Sequence, residues 1–136
     1  MTETIILVTG GFDPIHSGHI AYFKDAKKLG NKLIVGVNSD NWLIQKKGSA
    51  FLPINERIEI VSNLAVVDAA IEFEDDEYQS ASNAIQKVLE MYPDDKIIFA
   101  NGGDRNQANI PEMDKFVNNE RVSFEFGVGG DFKKNS

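Results

Sequence analysis

The sequence predicts an α/β fold: a three-layer sandwich with a five-stranded parallel sheet in the order 3-2-1-4-5 and helices on both faces, filling residues 1–136 as a single domain. Three observations predict it. Apolar, β-rich runs and segments of helical spacing alternate five times along the chain. The runs have the look of strands buried on both faces, which belong in parallel sheets joined by right-handed crossovers. Finally, glycine pairs directly follow the first and fourth runs, Gly10-Gly11 and Gly102-Gly103. In this strand order those two strands are neighbours where the winding reverses, so both turns face the crevice in which such sheets bind ligands.

Thr4 to Thr9 is the first strand. Beyond the glycine break, Ile20, Phe23, Ala26 and Leu29 recur at helical spacing, and Gly30 makes a C-terminal stop. Leu33 to Val37 reads as the second strand. A helix from Asn55, taken as its cap, buries Ile58, Val61 and Leu64. Ala70 to Phe73 is the third strand. Ala81, Ala84, Ile85, Val88, Leu89 and Tyr92 follow the i, i+3, i+4, i+7 template, and Pro93 ends that helix. Ile97 to Ala100 forms the fourth strand. A short helix from Pro111 carries Met113, Phe116 and Val117, and Val122 to Phe126 is the last strand.

Composition narrows the function. The chain has no cysteine, which excludes disulfides, thiolate nucleophiles and cysteine-ligated metals. Its 21 acidic against 14 basic residues give a net charge of −7, which argues against a nucleic acid polymer as partner. Net charge says little about a small anionic ligand, which responds to the local field of a cleft. The start Met1-Thr2-Glu3-Thr4 lacks a basic leader, and Ile5-Ile6-Leu7-Val8 is far shorter than a signal-peptide core. The expectation is a cytoplasmic protein without a membrane partner. The acidic run Glu72-Phe73-Glu74-Asp75-Asp76-Glu77 reads as a solvated loop with no assigned role.

The chemistry concentrates in the first glycine loop, Gly10-Gly11-Phe12-Asp13-Pro14-Ile15-His16-Ser17-Gly18-His19, which runs straight into a helix. Glycines let backbone N–H groups approach a ligand, and a helix N-terminus adds partial positive charge; each favours a phosphate. Both histidines of the chain lie here, at i and i+3, on one helix face. Two imidazoles aimed at one point can donate hydrogen bonds to phosphate oxygens. The same pair with Asp13 could hold a metal, and a strand–glycine–helix turn can be purely structural, but metal binding leaves the flanking glycines unexplained.

Gly11-Phe12-Asp13-Pro14-Ile15-His16-Ser17-Gly18-His19 resembles the GxFDxxHxGH signature of the cytidylyltransferase-like nucleotidyltransferases, Rossmann-like proteins. The resemblance continues through Val37-Asn38-Ser39-Asp40, Lys46-Lys47-Gly48, Asn55-Glu56-Arg57 and Gly102-Gly103-Asp104-Arg105, in the family's order. Among subfamilies the chain is most similar to heptose-phosphate adenylyltransferases and glycerol-3-phosphate cytidylyltransferases. The family closes with a Ser/Thr-rich turn and a C-terminal helix. Residues 129–136 resemble the approach to that turn, and the expectation is that the helix and its nucleotide contacts are absent.

The resemblance implies attack by a substrate phosphate on the α-phosphorus of CTP or ATP, with release of pyrophosphate, the acceptor being a phosphorylated sugar or polyol. His16, His19 and Lys47 would be catalytic. Thr9, Gly10, Gly11, Phe12, Asp13, Gly18, Lys46, Arg57, Gly102, Gly103, Asp104, Arg105 and Ser136 would bind the nucleotide. Arg57 opens a helix, a poor place for a cation, so a ligand-facing role is expected in preference to an ion pair with Glu59. Lys47 adjoins Gly48 as in the family and is preferred to Lys46. Trp42 would plug the core or an interface, or wall the acceptor pocket. Mg²⁺ is expected to arrive with the triphosphate, and family members of this size pair as homodimers. Two other readings stand beside this one: an adenylyltransferase acting on a nicotinamide, pantetheine or flavin mononucleotide type of precursor, and a nucleotide-binding module without catalysis.

Overall fold

Along the first strand, β1 (Thr4–Gly10), side chains bury alternately on opposite sides, Ile5 and Leu7 in one cluster and Ile6 and Val8 in the other. All four are fully excluded from solvent. That is the signature of a central strand covered on both faces. The computed structural model describes residues 2–102 and 110–129. After β1 come α1 (Ser17–Lys27), β2 (Lys32–Val37), α2 (Asp40–Lys47), α3 (Ile54–Ser62), β3 (Ala69–Glu72), α4 (Ser82–Met91), β4 (Lys96–Ala100), α5 (Pro111–Phe116) and β5 (Val122–Glu125). All four strand pairings are parallel, as the alternation predicts, and the order is the expected β3-β2-β1-β4-β5.

Two cores form, one per face. Tyr22, Phe23 and Ala26 of α1 and Val61 of α3 pack on Ile6, Val8, Leu33, Val35 and Val37. Ala84, Ile85, Val88 and Leu89 of α4 and Phe116 of α5 pack on Ile5, Leu7, Ile34, Ile97 and Phe99. Placing the first two crossovers on one side and the last two on the other puts the winding reversal between β1 and β4. It is there that Leu7 lies opposite Phe99.

The structure departs from the sequence reading in several of its elements. The helix α2 was not expected, because only Leu43 of its eight residues is buried and no apolar stripe marks it. Its signals are local: Ser39 Oγ accepts the Trp42 N–H at its start, and Gly48 closes it in the left-handed region. Asn55 is not the cap of α3. Pro53 takes that place without a side-chain bond, and Asn55 sits inside the first turn. β3 runs one residue earlier than expected, releasing Phe73 to fold into the α4 core. Leu29 lies past the end of α1 and is 38% exposed. In α5 the inward residues are Glu112 and Phe116, while Val117 lies beyond the helix and is 74% exposed.

No helix among the described residues is long and apolar enough to cross a membrane. Gly30 ends the α1–β2 turn for a steric reason rather than as a cap: a Cβ there would lie 2.6 Å from the Thr4 carbonyl oxygen. The Gly30→Ala variant is therefore expected to lose about 1–3 kcal/mol, as overpacked sites do, read as a lower midpoint in chemical denaturation. An unchanged midpoint would show that the turn relaxes freely.

Candidate active site

At the carboxyl ends of β1, β2 and β4 lies a crevice of about 440 Å³, within the usual range for small-molecule sites. Thr9, Gly10 and Gly11 line it from one side, and Ala100, Asn101 and Gly102 from the other. The two glycine turns thus share one crevice. Gly103, Asp104, Arg105 and Ser136, also expected at the site, lie outside the described residues.

The Gly10–His19 segment is built around a folded-back phenyl ring. Phe12 has a left-handed backbone, φ 51°, a conformation costly for a bulky residue and found where surroundings enforce it. Its ring turns under Gly10, where a Cβ would meet it at 2.8 Å, and packs edge-on against His19 with centroids 5.2 Å apart. The Asp13–Pro14 peptide is cis. Next, the two histidines cap α1 reciprocally. His16 Nδ1 accepts the Gly18 N–H at 3.0 Å, and His19 Nδ1 accepts the His16 N–H at 3.1 Å. The rings lie together, with centroids 3.9 Å apart.

This cap determines the tautomers. A ring nitrogen that accepts a backbone N–H carries no proton, so in each neutral imidazole the proton resides on Nε2. Both rings are therefore set as Nε2–H donors. His16 Nε2 is buried and has no hydrogen-bond partner among the described residues, an unmet donor of the kind a phosphate oxygen would satisfy. Neither imidazole is among the residues lining the 440 Å³ crevice. The pair stands with Phe12 beside the glycine turn.

Arg57 overturns the expectation of a ligand-facing guanidinium. It is 1% exposed. Its Nε donates to Leu52 O at 2.9 Å, and Nη1 donates to Gly11 O at 2.9 Å and Asn38 O at 2.7 Å. Nη2 donates to Asp40 Oδ1 at 2.6 Å. The guanidinium is a strut joining the glycine turn, the end of β2, the start of α2 and the loop before α3. Asp13 braces the same region from its side chain, with Oδ2 accepting the Phe51 N–H at 2.6 Å and Oδ1 the Leu52 N–H at 2.7 Å. Lys47, preferred from sequence for phosphate charge, is held on Asp13, 2.7 Å from its carbonyl oxygen and 3.3 Å from Oδ2. It is Lys46 that lines the crevice.

The acidic run is structural rather than merely solvated. Ser39 donates to Asp75 at 2.6 Å, tying the start of α2 to the β3–α4 loop. Asp76 accepts the N–H groups of Tyr78 and Ser80 and the Ser80 hydroxyl. Burial opposes ionisation of Asp76, but the Ser80 and Tyr78 hydrogen bonds and the charge of Lys115 outweigh it and hold its carboxyl below 3.8. Asn38 lay in a motif segment without a role of its own, and several other crevice residues had no motif to mark them: Tyr22, Ser80, Asn101 and Glu112. Asn38 and Asn101 each follow a strand end at the crevice, a position that the topology could have flagged. Glu112 is fully buried and accepts the Ala81 N–H at 2.7 Å; nothing in the sequence marked it as inward-facing.

With this geometry in view, comparison with known proteins settles the class. The model of the "Cytidylyltransferase-like" family matches residues 7–123. The chain belongs to the cytidylyltransferase-like family. It is 43% identical over 111 residues to the "Bifunctional protein HldE" of Blochmanniella floridana, covering 79% of this chain and 21% of that protein. The protein of the same name from Coxiella burnetii (strain Dugway 5J108-111) is 34% identical over 120 residues, covering 86% of this chain and 23% of that one. The chain thus spans about a fifth to a quarter of these relatives' length. Among solved structures, the "lipopolysaccharide core biosynthesis protein" of Thermoplasma volcanium GSS1 superposes with a TM-score of 0.65 at 27% identity, covering 91% of this chain and 93% of that one.

Two stability outcomes follow from the bracing. Arg57→Leu leaves three carbonyls without their donor and is expected to cost about 3–5 kcal/mol in denaturant unfolding, the range for breaking a buried charged network. Burial opposes ionisation of Asp13, yet the Phe51 and Leu52 N–H groups and Lys47 hold its pKa below 3.8. The native state then binds fewer protons than the unfolded chain as the latter titrates. Stability from Asp13 is full above the unfolded value and is lost as pH falls through the lower native one. Stability measured from pH 6 down to pH 3, roughly the range spanning carboxylate titration, should fall, and Asp13→Asn should flatten that slope. An unaltered slope would show that Asp13 does not carry it.

Proposed function

We propose that this chain transfers a nucleotidyl group from ATP or CTP to a phosphorylated sugar, releasing pyrophosphate. The observation that carries the reading is the reciprocal histidine cap at a glycine-rich helix start, in which both rings accept backbone N–H groups through Nδ1 and His16 Nε2 is buried with no hydrogen-bond partner among the described residues. An acceptor phosphate oxygen bonds to the α-phosphorus, and the bond from the α-phosphorus to the oxygen bridging to the β-phosphorus breaks. Such a step needs alignment and stabilisation of charge on the equatorial oxygens more than covalent help. The imidazole N–H groups serve the α-phosphate, the backbone of the glycine turn receives the triphosphate, and Lys46 balances the charge of the incoming acceptor phosphate. Mg²⁺ carried on the triphosphate would neutralise part of the triphosphate's charge. The charged side chains among the described crevice residues are Lys46 and Glu112, a set suited to a metal carried on phosphate oxygens rather than to a protein cage.

A sugar acceptor is favoured over a cofactor precursor by two supports. Among subfamilies the sequence is most similar to heptose-phosphate adenylyltransferases and glycerol-3-phosphate cytidylyltransferases, and the structure similar at 27% identity is described as a lipopolysaccharide core biosynthesis protein. The test is pyrophosphate release from ATP and from CTP with heptose phosphates, glycerol 3-phosphate and nicotinamide mononucleotide. His16→Ala and His19→Ala should each lower turnover about 10²–10³-fold, the effect of losing one preorganised donor, with circular dichroism confirming the fold. Full turnover in both variants would refute the reading. Nucleotide binding without turnover of any acceptor by the parent chain would instead favour a binding module.

A further inference from the structure

The crevice is chemically two-sided. Its inner side is backbone and small polar groups: Gly10, Gly11, Asn38 and Asn101. Its other side carries aromatic rings and a cation: Trp42 and Lys46 from α2, and Tyr78 and Gln79 from the β3–α4 loop. Lys46 Nζ sits 5.3 Å from the centroid of the Trp42 ring and has no carboxylate partner among the described residues. An aromatic ring paired with an ammonium that has no carboxylate partner among the described residues suits a ligand with a carbon-bound hydrogen face and a phosphate, and that is the make-up of a sugar phosphate.

The wall is also held in place by hydrogen bonds between its two elements. Trp42 Nε1 donates to the Gln79 carbonyl at 3.2 Å. Gln79 has a left-handed backbone, φ 56°, kept by the Asp76 carboxylate that binds both Tyr78 N and Ser80 N. Ser39 and Asp75 join the two elements again at the base. Backbone strain of this kind persists where surroundings over-determine it, and such places cluster at ligand clamps. We propose that Trp42, Tyr78 and Lys46 form the subsite for the phosphorylated acceptor, with the Trp42 ring as platform for the sugar and Tyr78 closing its outer side. The proposal rests on the nucleotidyltransferase reading above and assigns its second substrate a place.

Trp42 is the sole tryptophan of the chain, so intrinsic fluorescence reports on this wall directly. Titrating the intact protein with a heptose 1-phosphate, glucose 1-phosphate or glycerol 3-phosphate, each at saturating nucleotide, should give a saturable emission change that inorganic phosphate does not reproduce. In steady state, Trp42→Leu and Tyr78→Ala should raise the acceptor KM about tenfold while leaving the nucleotide KM within about twofold. Tyr78 is 69% exposed, so its truncation spares the core and guards against a folding artefact. Equal rises in both KM values, or no rise in the acceptor KM, would overturn the subsite while turnover by the parent chain kept the activity standing. Should the parent chain turn over no sugar phosphate, the activity reading fails. The fluorescence titration then decides the subsite alone, and no saturable response from any probe overturns it.

Discussion

The buried guanidinium of Arg57 is the contact on which the site depends. Loops at the carboxyl ends of parallel strands carry carbonyls with no partner in the sheet, and burying them unpaired is costly. A single planar cation with its donors in a fixed fork satisfies three of them, at Gly11, Asn38 and Leu52, and reaches Asp40 as well. Its charge is compensated by Asp40. The result is that the glycine turn after β1, the end of β2, the start of α2 and the loop before α3 are registered to one another through one side chain. Asp13 completes the brace from the opposite direction, accepting backbone N–H groups where Arg57 donates to carbonyls.

On that frame the histidine pair serves a structural and a chemical end at once. A helix start has backbone N–H groups that need acceptors, and Ser, Thr, Asp or Asn usually supply them. Here the imidazoles do so through Nδ1, which leaves each Nε2 protonated and turned from the helix backbone. The tautomer needed for donation to an anion is thus a consequence of helix capping. The phenyl ring of Phe12, wedged between Gly10 and His19, keeps the rings from settling elsewhere.

The charge distribution acquires a similar logic. The chain is acidic overall, at −7, yet the acids in and around the crevice are engaged by hydrogen bonds: Glu112 by the Ala81 N–H, Asp13 by two amides and Lys47, Asp76 by the Tyr78–Ser80 turn, and Asp75 by Ser39. Their role is to shape loops, while Lys46 remains beside the crevice with no acidic partner among the described residues. A net-acidic protein can in this way offer a locally favourable field to an anionic ligand.

Periodicity alone determined the alternation of strands and helices and the layer arrangement, because a run buried on both faces is legible from its own composition. The glycine–histidine turn was legible for the same reason: its chemistry lies within ten consecutive residues, 10–19. Where an element lacks an apolar stripe, as α2 does, composition is silent and only the flanking caps betray it. The fate of the cations was decided by tertiary structure. Arg57 and Lys47 carry the same charge and stand near the same loops, but one is sealed among carbonyls and the other is held on Asp13, while their neighbour Lys46 faces the crevice. Which partner a charged group meets depends on where distant loops converge, and no local pattern in the chain encodes that distance.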